Sequence, residues 1–285
     1  MVKAMRTRDR SVPMAFSLVI ASTLAFCGVN LVLVHTAAGQ RADSTALGQF
    51  VFPGWGRPPG DELLGSISIT TLLFAVGVIV AVLVLRKRWR SALLAGASIG
   101  ATVMASQLLK DVLIRPEQVI DFTSARNSFP SGHAAISAGV CVAVGIWWPK
   151  RLRTVVVPAL AILHGLVVAS VMTAGWHRAS DVLGSSLLAL GIGFLFTLGS
   201  SRSTMIHGSV YRVAFVVVVI LGITLTSSWA IIGSEVGALA AVLASVLLVS
   251  LPPLAISTAP VWSAPSPIPL VGVAHRTRYA LEESH

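Results

Sequence analysis

Apolar runs of membrane-spanning length alternate with short polar stretches along most of this chain. The runs cover residues 13–34, 63–85, 91–114, 132–148, 154–174, 182–199, 213–233 and 236–251. A helix needs about 20 apolar residues to cross the hydrocarbon layer, so each run predicts a transmembrane helix. The fourth is the shortest fit and stops at Trp147-Trp148-Pro149-Lys150, a pattern expected of an interfacial anchor followed by a helix stop. The expected fold class is an all-α, polytopic membrane helical bundle of about eight spans.

Composition agrees with the pattern. Hydrophobic residues make up 55% of the 285 and charged residues only 11%, far from a soluble globular balance. Mean hydropathy is +0.84. The net charge of +10 would suggest nucleic acid in a soluble protein, but its distribution gives a different reading. Basic residues fall in tufts: Lys3, Arg6, Arg8 and Arg10; Arg86, Lys87, Arg88 and Arg90; Lys150, Arg151 and Arg153; Arg202 and Arg212; Arg276 and Arg278. Every second loop carries one, which is the positive-inside pattern, so these loops and both termini are expected on the cytoplasmic side of a cell membrane. No nucleic-acid partner is expected.

The first run is too long, and too poorly followed by a small-x-small site, to be a cleaved signal peptide. Residues 36–62 read as a polar, Gly/Pro-rich outer loop in which Trp55 suits the headgroup layer. The expected organisation is a basic N-terminus (1–12), two spans with that outer loop (13–89), a core (90–200), two further spans (201–256) and a Pro-rich, disordered cytoplasmic tail (257–285). Cys27 and Cys141 both fall within runs, which argues against a structural disulfide. There is no Cys/His zinc pattern, Walker motif or Gly-rich dinucleotide turn.

Three stretches between runs carry candidate chemistry. Asn127-Ser128-Phe129-Pro130-Ser131-Gly132-His133 should sit where a span meets water, with Gly132 turning the chain and the first amides of the next helix free for an oxyanion. Alone, Ser-Gly-His is also read as an N-cap followed by an interfacial histidine. Lys110 lies near the outer end of its span with Gln107 on the same face, and by itself reads as snorkelling to the headgroups. Arg115 precedes Pro116, which ends helix there. His177 and Asp181 are four residues apart and share a helix face if that segment is helical. His164, mid-span, reads as a buried histidine bonded within the bundle. Alternation of spans alone brings Lys110, Arg115, Arg126, His133, His177, Arg178 and Asp181 to one membrane face. Such a set suits a lipid-borne phosphate. A metal site is the alternative, although a zinc ion would need further ligands, and only scattered carboxylates such as Glu117 and Asp121 are on offer.

Together these stretches resemble the signature of the phosphatidic acid phosphatase type 2 superfamily, which also includes vanadium haloperoxidases and bacterial acid phosphatases. That signature reads Lys-x6-Arg-Pro, Pro-Ser-Gly-His and Ser-Arg-x5-His-x3-Asp. Here Pro130 to His133 complete the second motif. Ser170, His177 and Asp181 hold the third, with Val171 at the arginine position. The first is shortened, with four residues between Lys110 and Arg115, and a strict spacing from Lys110 would land on Glu117. The resemblance covers roughly residues 90–200 and implies a six-span core, so the last two spans look like an addition.

The resemblance also implies roles. His177 would be the nucleophile, oriented by Asp181, and His133 would protonate the leaving oxygen. Lys110, Arg115, Ser131 and the Gly132 amide would bind phosphate oxygens, and Arg178 or Arg126 would stand in for the arginine replaced by Val171. That scheme requires no metal and no cofactor. The expected function is hydrolysis of a lipid phosphate or lipid pyrophosphate at the outer membrane face through a phosphohistidine. A phosphotransferase using the same intermediate and a non-catalytic phospholipid-binding or translocating protein are the alternatives.

Overall fold

In a computed structural model, which describes residues 11–50, 69–116, 127–198 and 243–248, every regular element is helical. Helix α1 (Ser11–Val29) continues through a π-helical turn, Asn30–Val34. Then come α2 (Ala37–Phe50), α3 (Ile69–Leu85), α4 (Trp89–Val112), α5 (Gly132–Trp147), α6 (Lys150–Thr173) and α7 (Ala179–Leu198). The segments Ala15–Val34, Trp89–Val112, Val155–Thr173 and Ala179–Leu198 are long and apolar enough to cross a bilayer, and Leu73–Leu85 and Gly132–Trp147 are shorter apolar helices. The first six expected spans are therefore helices near their expected bounds. The expected seventh span, the tail and the Trp55 stretch lie outside the described residues. Of the eighth, residues 243–248 are helical, and Ala244 and Leu248 are buried in the core.

Helix α5 is the centre of the bundle, flanked by α4, α6 and α7, while α1 lies along α7 and α3 along α4. Its small side chains let neighbours approach closely, as packing inside a membrane requires. Every α5 residue is buried except His133. That explains its short length. It also corrects the reading of Trp147 as an interfacial anchor, because Trp147 packs in the core cluster at 6% exposure. Large apolar side chains such as Phe16, Leu24, Phe74, Leu93, Met104 and Ile162 point outward instead. In water such a surface would be an association patch; on a bundle of span-length helices it is the lipid-facing surface.

At the end opposite His133, Arg153 is buried and donates from Nε to the Trp148 carbonyl and from Nη2 to the Ile146 carbonyl, both at 2.6 Å. These are orphan carbonyls at the C-terminus of α5, where a cation also meets the negative end of the helix dipole. A residue that reads in sequence as one of a solvated basic tuft is thus a helix cap.

The expected outer loop, residues 36–62, also needs correction. Thr36 opens α2 by accepting from the Gly39 N–H at 2.9 Å, and the chain stays helical to Phe50. The helix tucks back so tightly on the π turn that a Cβ on Gly39 would overlap the Val32 carbonyl. The prolines of this stretch all come later, from Pro53 onward, which is why helix is permitted before them.

Candidate active site

The ends of α4, α5, α6 and α7 that carry the motif residues meet at one end of the bundle. Asn127 ties the first to the second. Its side-chain amide donates to the Lys110, Leu113 and Phe129 carbonyls at 3.2, 2.5 and 3.2 Å, and its oxygen accepts from the Phe129 N–H at 3.1 Å. Helix α4 accordingly ends at Val112, with Leu113 extended, three residues before the Arg115-Pro116 pair expected to stop it.

The loop then drops the Phe129 ring into the bundle against Phe26, over Gly184, where any Cβ would overlap the ring. Ser131 follows as the N-cap of α5. Its hydroxyl accepts from Ala134 N–H at 3.4 Å, its own N–H donates to the Asp181 carbonyl at 3.2 Å, and Ser185 Oγ donates to its carbonyl at 2.8 Å. Of the amides expected to face an oxyanion, Ser131's is therefore engaged. Those of Gly132 and His133 make no hydrogen bond with another described residue. Gly132 does not adopt a positive φ, contrary to the turn expected of it; its missing Cβ instead leaves room for the Gln107 amide, which would lie 2.8 Å away. Among the described residues, the positive-φ glycine is Gly175, at φ 71°, in the turn after α6.

That turn presents His177. The N–H groups of Trp176 and His177 both donate to the Val171 carbonyl at 3.1 Å, and the Val171 side chain is fully buried in the apolar core. Asp181 then performs two tasks. Its Oδ2 accepts from Arg178 N–H at 2.9 Å, which is the returning half of a capping box at the start of α7, and from His177 Nδ1 at 3.3 Å. A bond at Nδ1 leaves Nε2 as the imidazole's free nitrogen. His133 lies beside it, its ring 5.9 Å from Trp176, and is acted on by the charges of both His177 and Lys110. Lys110, half-buried, is in turn within range of Asp181 and Asp111.

Arg115 Nη1 lies 3.9 Å from Asp181 Oδ1, and Nη2 lies 3.4 Å from Asp43 Oδ2. Arg178 is buried at 4% exposure beside His177 in the chain, and Arg126 lies outside the described residues. Among the described residues, no group of three or more His, Cys, Asp or Glu side chains is arranged to hold a metal. His164 is buried between Ser137 Oγ at 2.8 Å and Ser186 Oγ at 3.2 Å, a bonded core histidine linking α5, α6 and α7 as expected.

Sequence reasoning missed Asp43. It sits fully buried on α2, accepts from the Ser180 N–H at 3.0 Å and from Ser180 Oγ, and so caps α7 from another helix. Arg178, at the N-cap position, has no acceptor on its side chain, which leaves that task open. Burial, with the neighbouring Asp181, pushes the Asp43 carboxyl up to about 6. A Thr36 cap before a Pro-free run was the available signal for the helix. Nothing in the sequence placed its one aspartate against a serine 137 residues away.

Residues 107–205 match the family model of the PAP2 superfamily. No curated protein and no solved structure matches the chain. The match supports phosphatase activity on phosphate esters in general. The match begins before Lys110 and ends after α7, so the part of the chain that is similar to the PAP2 superfamily contains Lys110, Arg115, His133, His177 and Asp181.

Proposed function

We propose that this protein is a membrane phosphatase that hydrolyses a lipid phosphate or lipid pyrophosphate at the outer membrane face through a phosphohistidine. The observation that carries the reading is the His177–Asp181 bond. With Nδ1 donating to a buried carboxylate, Nε2 holds the lone pair that can attack phosphorus, and the carboxylate stabilises the charge the ring then acquires. As the N–P bond forms, the bond from phosphorus to the lipid oxygen breaks, and His133 gives that oxygen its proton. Water then attacks phosphorus, His133 takes a proton from it, and the N–P bond breaks to release phosphate. Lys110, Arg115, Arg178 and the Gly132 amide would balance the charge on the phosphoryl oxygens. Ser131 contributes by holding the start of α5, since its hydroxyl already caps that helix.

Substrate at headgroup depth is supported by the outward apolar side chains of the surrounding helices and by the placement of all motif residues at one bundle end. Release of inorganic phosphate from a panel of lipid phosphates and pyrophosphates by detergent-purified protein tests the reading; no release from any of them overturns it. The side of the membrane is tested separately, with single cysteines at Lys87 and Asp111 in a chain lacking Cys27 and Cys141. Both sites are exposed, Lys87 in the turn just before α4 and Asp111 in its last turn. Asp111→Cys should react with an impermeant reagent on intact cells, and Lys87→Cys only after permeabilisation.

A non-catalytic phospholipid-binding protein is the second reading. It is favoured by Val171, whose burial in the apolar core takes the position of a clamp arginine out of the site. Binding of lipid phosphate without turnover would support it.

A further inference from the structure

We infer that Asp43 is a positioning residue for phosphate binding: from α2, outside the family segment, it holds Arg115 in place for the anion and keeps it off Asp181. The inference rests on the phosphate-binding reading of the site.

Two side chains on one face of α2 make the arrangement. Gln40 Nε2 donates to the Pro116 carbonyl at 2.5 Å and to the Val34 carbonyl at 2.7 Å, so the helix is pinned to the Arg115-Pro116 pair and to the end of the first span. One turn later, Asp43 accepts from Ser180 at the start of α7 and faces Arg115 Nη2 at 3.4 Å. The side chains of both partners are deeply buried, at 10% exposure for Arg115 and none for Asp43.

Arg115 thus stands between two carboxylates. Neither Asp181 Oδ1 nor Arg115 Nη1 has a partner in hydrogen-bond geometry among the described residues, although the Ser128 hydroxyl is near enough to act on Asp181, and the two atoms are only 3.9 Å apart. In a buried site an unmet donor and an unmet acceptor at that distance would close on each other, because each carries a desolvation cost that pairing relieves. Asp43, drawing on Nη2, restrains that collapse. Nη1 is left for an arriving phosphoryl oxygen, and Asp181 is left to His177. Without Asp43 the guanidinium would fold onto Asp181, lost to the anion and competing with His177 for its carboxylate.

Charge alone would act with the opposite sign. Removing a carboxylate beside an anion site should tighten anion binding if Asp43 acts only through its charge. A capping role alone gives a third pattern, a loss that does not depend on Arg115.

The experiment is vanadate and inorganic phosphate binding to full-length protein in detergent, followed by thermal shift, with and without Arg115. Asp43→Asn keeps an oxygen for the Ser180 N–H and so preserves the cap while removing the ion pair. It should weaken vanadate binding about tenfold, within the range of coupled contacts. In an Arg115→Ala background the same change should have no further effect. Unchanged or tighter binding in Asp43→Asn, or an equal loss in both backgrounds, overturns the inference. Wild-type protein that binds phosphate but releases none from lipids overturns the phosphatase reading and leaves this test in force. Wild-type protein that binds neither anion overturns both.

Discussion

The Ser131 N–H donates to the Asp181 carbonyl at 3.2 Å, so the second and third motifs are joined backbone to backbone. Ser185 Oγ reinforces the joint by bridging the carbonyls of Ser131 and Asp181 at 2.8 and 2.7 Å. The starts of α5 and α7, which carry His133 and follow His177 respectively, form one unit.

The packing beneath that unit gives the first prediction. Gly184, one turn into α7, leaves the space that the Phe129 ring fills. Phe129 is fully buried, so it has no alternative position at low cost. Gly184→Ala should destabilise the protein by about 1–3 kcal/mol, the usual cost of overpacking. Because the displaced ring belongs to the loop before Ser131, turnover should fall by a larger factor than stability alone explains. Thermal unfolding and phosphate release on the same preparation check this, and wild-type turnover in a destabilised variant would uncouple Phe129 from the site.

The two histidines should respond differently to the leaving group. His177→Ala should abolish turnover of every substrate, since the nucleophile has no substitute. His133→Ala removes only the proton donor, which matters more the more basic the leaving oxygen. Lipid phosphomonoesters should lose several orders of magnitude, about 10²–10⁴-fold for a lost general acid, and p-nitrophenyl phosphate or a lipid pyrophosphate much less. Equal losses across leaving groups would remove His133 from the protonation step.

Chelation separates the phosphohistidine route from a metal-assisted one. Activity should survive EDTA and fall with vanadate, which takes up the five-coordinate geometry of phosphorus at His177. Loss with EDTA that zinc or magnesium restores would instead place a metal in the mechanism.

Asp43 gives a pH dependence of stability. Its carboxyl is raised from 3.8 to about 6, so the folded chain keeps a proton that the unfolded chain releases first. Its favourable contribution is present below about pH 4 and is lost as pH rises through 6. Asp43→Asn cannot ionise, so its melting temperature relative to wild type should climb between pH 4 and 6 and level off above that. A difference that stays flat across this window would mean the carboxyl is not raised.

The helices were legible in the sequence because hydropathy is a local property. A run long and apolar enough to span a bilayer has few other places to go, so residues 91–114 and 182–199 read as spans without reference to their neighbours, and the helices lie within three residues of those bounds. The pairing of His177 with Asp181 was legible only as a separation of four residues: the helix expected to align them starts at Ala179, and they meet because Asp181 reaches back over the helix start. What α5 packs against was not local. The sequence of Trp147 fits an interface anchor, and only enclosure by α4, α6 and α7 makes it core. Arg153 reads as one more basic loop residue until the α5 carbonyls it caps are in place. Asp43 is the extreme case. In sequence it is one acid in an outer stretch, and its partners Arg115 and Ser180 lie 72 and 137 residues away. Hydropathy and motif spacing report what a segment prefers by itself. Which buried donor meets which distant acceptor is decided only when the helices close around them, because the cost of leaving such groups unpaired arises only once water has been excluded.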